Sequence, residues 1–137
     1  MTHRADLVCD MAGEQMLVRV RGEIDHHTAA DIRNSIDSAL FEKRPRRLIL
    51  DMSAVTFMDS SGLGLIMGRL SVIRQLGGEL VVQDPSDAIS RIITLAGMER
   101  TVNIRRTNGG ETVATNAKAT ARRRRKRVSS AEGKVVK

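Results

Sequence analysis

Arg47-Leu48-Ile49-Leu50-Asp51-Met52 and, five residues later, Phe57-Met58-Asp59-Ser60-Ser61-Gly62-Leu63-Gly64 are the stretches on which the fold turns. The first holds a continuous aliphatic run, suited to a strand buried on both faces. The second opens a long helical pattern over Ser61–Leu76, with Leu63, Ile66, Met67, Leu70 and Ile73 on one side. Gly77-Gly78 stops it. A buried strand leading into a helix implies a sheet covered by helices, and the flanking sequence repeats the alternation.

Upstream, residues 5–11 read as a strand, Gly13-Glu14 as a turn, and Met16–Arg21 as a second strand ended by Gly22. In that second strand Met16, Val18 and Val20 share one face. Thr28–Glu42 carries apolar residues at 29, 32, 36, 39 and 40, with Thr28 and Asp31 as a capping box and Pro45 as the stop. Downstream, Glu79–Gln83 reads as a strand. Ser86–Ala96 reads as a helix capped by Ser86, with Ile89, Ile92, Ile93 and Ala96 on its apolar face. Thr101–Arg105 reads as an edge strand and Glu111–Thr120 as a weak helix. The order ββαβαβαβ(α) predicts an α/β domain with a mixed, largely parallel sheet covered by helices.

Composition narrows the function. The chain has 137 residues, which suggests one domain, and a net charge of +7. That excess is not spread evenly. Residues 1–109 hold 14 basic and 14 acidic side chains, whereas residues 110–137 hold 9 and 2. The basic character therefore belongs to a tail containing Arg122, Arg123, Arg124, Arg125, Lys126 and Arg127, and residues 122–137 are expected to be disordered. A solvated tail without a dedicated role is one reading of that run. Salt-sensitive contact with nucleic acid or another anionic surface is the other. With no Trp, no Tyr and two Phe, a base-stacking platform is excluded. The single cysteine, Cys9, excludes an intrachain disulfide and a cysteine-based zinc site. The first ten residues lack the apolar core of a signal peptide, and no run approaches the roughly 20 apolar residues of a membrane span. A cytoplasmic location is expected.

Around Asp59-Ser60-Ser61-Gly62, Ser60 or Ser61 is the expected helix N-cap, since a hydroxyl there accepts from an unpaired backbone N–H. A helix N-terminus also favours anions, so a phosphoryl group on such a serine would be tolerated while adding about −1.5 to −2 charge to the surface. A plain helix cap is the alternative. Gly64, Gly68, Ser71 and Gln75 form a narrow stripe of small residues, although a glycine inside a helix costs about 1 kcal/mol relative to alanine. Close packing on a neighbouring element or docking of a partner would explain it. Gly62, Gly64 and Gly68, with Asp84 22 residues after Gly62, imitate a dinucleotide-binding fingerprint, but the third spacing is one residue too long. Met58-Asp59-Ser60-Ser61-Gly62 lacks the first glycine of a hydrolase elbow. His26 and His27 are adjacent, unlike a metal-binding pair on one helix face. Loops that follow parallel strands gather at one sheet end. Glu23, Asp25, Asp59 and the two serines are thus expected to form one acidic, hydrogen-bonding rim.

Gly22-Glu23-Ile24-Asp25-His26-His27-Thr28 and Phe57-Met58-Asp59-Ser60-Ser61-Gly62-Leu63-Gly64, in order and at compatible spacing, resemble the STAS-domain anti-anti-sigma factors of bacteria, closest to the sporulation type. Gly77-Gly78-Glu79-Leu80 and Ala96-Gly97-Met98 extend the resemblance, which covers roughly residues 5–115. It implies a STAS domain over 1–115 followed by a basic tail over 116–137. It further implies a non-enzymatic regulator without a cofactor. In its unphosphorylated form the regulator would bind an anti-sigma factor that is also a serine kinase, and so release a sigma factor. Phosphorylation of Ser60 would end that binding, and a phosphoserine phosphatase would restore it. The same resemblance places Asp25, His26, Thr28, Asp59, Ser61, Gly62, Gly64 and Gly68 at or near the contact with the kinase. A STAS scaffold subunit that does not switch partners, or a nucleotide-binding enzyme, are the alternatives.

Overall fold

The computed structural model describes residues 5–107. The 115/116 boundary, the helix expected over 111–120 and the basic run 122–127 lie outside them. Strands β1 (Ala5–Ala12) and β2 (Gln15–Ile24) form an antiparallel hairpin. The chain continues through helix α1 (Ala29–Lys43), strand β3 (Arg47–Met58), helix α2 (Ser60–Gln75), strand β4 (Glu79–Gln83) and helix α3 (Asp87–Leu95). A 3-10 turn over Met98–Arg100 leads into strand β5 (Asn103–Arg105). The strands are ordered β1-β2-β3-β4-β5, and every pairing after the hairpin is parallel. This is the mixed, largely parallel sheet that the alternation predicts.

Burial follows the periodicities. Met16, Val18 and Val20 of β2 join Leu48 and Leu50 of β3, Leu80 and Val82 of β4, and the inner faces of all three α-helices in the main core. Ile49 points the other way and is buried with Leu17 and Val81 on the opposite sheet face, so β3 is enclosed on both sides as its sequence requires.

Several elements differ from expectation. Strand β2 does not stop at Gly22. That residue takes φ +98 at an irregularity in the β2–β3 ladder, and pairing resumes to Ile24 opposite Met58. Strand β3 likewise runs to Met58 rather than Met52, because Ala54, Val55 and Phe57 pair with the extended end of β2. Helix α2 is rotated from the predicted stripe. Leu65 and Arg69 are buried, whereas Met67 is 45% exposed. The reason is an ion pair: Arg69 Nε lies 2.8 Å from Asp37 Oδ1 on α1, without hydrogen-bond geometry, and joins the two helices. Burial pushes the Arg69 guanidinium below the ordinary arginine value, and Asp37 opposes that shift.

Candidate functional site

The strand extensions bring the two sequence motifs together. Glu23 pairs with Phe57 and Ile24 with Met58, and the Asp59 N–H donates to the Ile24 carbonyl at 3.2 Å. The turn over Asp25–Thr28 and the start of α2 therefore stand side by side at one end of the sheet, as expected for loops after parallel strands.

Each motif is closed by its own carboxylate. In the first, Asp25 Oδ1 accepts from the backbone N–H groups of His27 (2.9 Å) and Thr28 (3.1 Å). Thr28 Oγ1 accepts from Asp25 N (3.0 Å) and donates to the Glu23 carbonyl (2.8 Å). The predicted capping box of Thr28 and Asp31 does not form, and Thr28 makes no side-chain cap of α1. Its hydroxyl is already used in holding the turn behind it. Asp25 is buried, while His26 and His27 project outward with ring centroids 4.0 Å apart.

In the second motif the N-cap is Asp59, not either serine. Asp59 has extended backbone geometry, and its Oδ1 accepts from the Ser61 N–H at 2.8 Å. The Asp59 carbonyl accepts from Gly62 N at 2.9 Å. Ser60 and Ser61 are thus the first and second residues of the helix. Ser60 is exposed, and its hydroxyl makes no hydrogen bond among the described residues; Ser61 is half-buried. The acidic, hydrogen-bonding rim has both aspartates engaged locally. The carboxylates of Asp25 and Asp59 are turned onto backbone amides, Asp25 closing its turn and Asp59 capping α2.

The glycines separate into two kinds. Gly62 is buried, and a Cβ there would fall 2.1 Å from Met58 Cγ, so any larger residue at this position requires the Met58 side chain to shift. At Gly64 and Gly68 a Cβ would meet nothing within 4 Å. These two do not pack on another element of the domain; they flatten its outer surface. All three glycines lie within α2, so no glycine-rich loop stands between strand and helix to cradle a phosphate. The sequence reading missed the two apolar side chains of this region, Phe57 (50% exposed) and Met67. Met67 shares an outward stripe with Ser60 and Gly64 at the spacing i, i+4, i+7, and that spacing is its signature in the sequence. No cluster of three metal-ligating side chains occurs among the described residues, and no described helix is long and apolar enough to cross a membrane.

The STAS domain model matches residues 8–111. The chain belongs to the STAS domain family. This STAS domain is 39% identical over 83 residues to the anti-sigma F factor antagonist of Paenibacillus polymyxa, an alignment covering 61% of this chain and 71% of that protein. Its fold superposes on the anti-sigma factor antagonist SpoIIAA in its unphosphorylated form with a TM-score of 0.66. The two are 25% identical over 84% of this chain and 97% of that one. Against the Bacillus cell fate determinant SpoIIAA in its phosphorylated form the TM-score is 0.62, at 26% identity over 82% and 98% of the two chains.

Proposed function

We propose that this STAS domain is an anti-sigma factor antagonist regulated at Ser60. The face formed by Ser60, Gly64, Met67 and Gly68 of α2, next to the turn over Asp25–Thr28, binds an anti-sigma factor that is also a serine kinase. Phosphorylation of Ser60 ends the binding, and a phosphoserine phosphatase restores it. The observation that carries this reading is the division of labour between neighbours. Asp59 takes the capping bond, which leaves the Ser60 hydroxyl exposed and uncommitted.

That division also explains how a phosphoryl group would act. It breaks no hydrogen bond of the fold among the described residues, so the domain stays folded. The Ser61 amide is already held by a carboxylate, so the helix terminus is less able to absorb the charge. A further −1.5 to −2 units would stand beside Asp59 on a flat, partly apolar surface. A 100-fold loss of affinity requires only about 2.7 kcal/mol, within reach of one like-charge clash at an interface. The relatives named as anti-sigma factor antagonists, and the solved SpoIIAA forms with and without phosphate, support the reading.

The test uses the cognate kinase. Ser60→Ala should bind it with or without ATP, Ser60→Asp should bind poorly, and ATP should transfer one phosphate to the natural protein. Phosphorylation of Ser60→Ala would move the acceptor elsewhere. A stable complex indifferent to both substitutions would favour a scaffold that does not switch partners.

A further inference from the structure

Helix α2 carries more apolar surface than one of its faces can bury. Ile66, Leu70 and Ile73 are buried, and two overlapping faces share them. With Leu63 and Met67 they make the apolar stripe of the sequence. With Leu65 and Arg69 they make the face that the structure buries, which leaves Leu63 half-buried and Met67 45% exposed. At 3.6 residues per turn the two faces differ by a roll of about 60°, or about 6 Å at the helix surface. Hydrophobic burial by itself favours the stripe of five apolar side chains over a face of four and an arginine.

What reverses that preference lies on α1. Arg69 is 5% exposed, and its Nε lies 2.8 Å from Asp37 Oδ1. Its Nη1 also donates to the Leu65 carbonyl, one turn back, at 3.4 Å. Burial pushes the Arg69 guanidinium below its ordinary value, Asp37 opposes the shift, and Arg33 adds to it. The Nε–Oδ1 contact lacks hydrogen-bond geometry, and apolar residues of similar volume commonly replace such a pair without loss of stability. Net stability therefore does not account for the pair. Its other effect is selective: only a rotation that keeps both charges together is allowed.

The pair sits where such selection matters. Helix α1 follows β2 and α2 follows β3, which are parallel, so the two helices leave the same sheet end in the same direction. Each carries one of the two motifs at its start: the Asp25–Thr28 turn before α1, and Ser60 in the first turn of α2. Asp37 is eight residues into α1 and Arg69 nine into α2, about 12–14 Å along each helix. We infer that Arg69 and Asp37 are a positioning pair, which holds α2 at one rotation against α1 and so decides that Gly64 and Met67 face outward beside the Asp25–Thr28 turn. Its consequence for partner binding rests on the function proposed for the Ser60 face.

A soluble paramagnetic chelate reads the rotation from methyl signals of the full-length protein. In the natural protein the Met67 methyl should broaden strongly, and those of Leu65 and Ile36 weakly. In Asp37→Ala the Arg69 charge has no partner on the buried face. The helix should then roll to its five-residue stripe, with the long arginine snorkelling to water at the border. Broadening of Met67 should fall and that of Leu65 should rise, each severalfold, while Ile36 stays protected. In Asp37→Leu/Arg69→Met both faces are apolar, so Met67 and Leu65 should each give intermediate values in a chain of near-natural stability. Arg69→Lys keeps the charge and should leave the natural pattern.

Affinity for the cognate kinase should fall at least about tenfold in Asp37→Ala, as when the competent rotation drops to about a tenth of the molecules, and stay within about twofold in Arg69→Lys. An unchanged Met67 signal in both Asp37 variants would overturn the inference. So would a rise at Ile36 together with Leu65 and Met67, which marks general loosening instead of a roll. The methyl readings need no partner. A natural protein that fails to capture the kinase would refute the proposed function, and the methyl readings would still decide whether the pair sets the rotation.

Discussion

Gly62→Ala is the most informative single substitution in this domain, because it adds one methyl group at the point where α2 leaves β3. The new Cβ would lie 2.1 Å from Met58 Cγ and 2.5 Å from its sulfur, far inside van der Waals contact. Met58 is 3% exposed and packed into the main core, so it has no solvent to swing into. Overpacking of this kind costs about 1–3 kcal/mol, while replacing a helical glycine with alanine returns at most about 1 kcal/mol. The expected net loss is about 1–2 kcal/mol. Met58→Ala alone should cost about 2–5 kcal/mol through the cavity it leaves. In that background the atoms that oppose a Cβ at position 62 are gone, and Gly62→Ala should become neutral or stabilising. The double mutant should therefore exceed the additive stability by about 2 kcal/mol. Urea unfolding followed by circular dichroism on all four proteins measures this coupling directly. Additivity within about 0.5 kcal/mol would show that the two residues do not compete for space, and the account of Gly62 as a close-approach residue would fail.

Gly64→Ala and Gly68→Ala should have the opposite sign, since nothing lies within 4 Å of either new methyl; each should stabilise the domain by about 0.5–1 kcal/mol and raise the melting temperature. If the proposed function holds, the same two variants should weaken capture of the anti-sigma factor in a pull-down, so that stability and binding move in opposite directions. Asp37→Ala should destabilise by about 2–4 kcal/mol, because it leaves the Arg69 guanidinium at 5% exposure beside a lost partner. Removing both charges with Asp37→Leu/Arg69→Met should recover most of the loss in the same urea assay. Thr28→Val keeps the shape of the turn but loses its bonds to Asp25 N and the Glu23 carbonyl, for about 1–2 kcal/mol, whereas Thr28→Ser should be near neutral.

The sheet and its helices were legible because each strand and helix carries a period that burial enforces locally. The alternation over Met16–Arg21 and the aliphatic run over Leu48–Leu50 each placed their side chains on the correct faces of the sheet. The candidate site was legible as two neighbouring motifs for the same reason: loops after parallel strands share an end. What could not be read locally were choices made by competition. Asp59, Ser60 and Ser61 are all good N-caps by type, and only the β3 extension opposite Ile24 fixes which of them keeps extended geometry. Thr28 is a good cap as well, but the turn through Asp25 claims its hydroxyl first. The rotation of α2 depends on Asp37, 32 residues before Arg69, and a charged residue inside a helical pattern reads as a surface position until its partner is in place.

The assignment of the cap bears on any switch at Ser60. A serine that caps its own helix would lose that bond on phosphorylation, and the added charge would be drawn toward the amides it had served. Part of the change would then be spent inside the domain, as a loosened first turn. With Asp59 as the cap, the Ser61 amide keeps its partner whatever happens to Ser60, and the first turn has no reason to move. The added charge stays outside, directed at whatever lies on the face of Gly64 and Met67. Asp59→Ala should therefore do more than fray the helix at a cost of about 1 kcal/mol. It frees the Ser61 amide to donate to a phosphoryl oxygen, so phosphorylated Asp59→Ala should retain more of its affinity for the anti-sigma factor than the phosphorylated natural protein does. Equal residual affinities, measured by titration calorimetry on both phosphoproteins, would show that the cap carboxylate has no part in directing the charge outward.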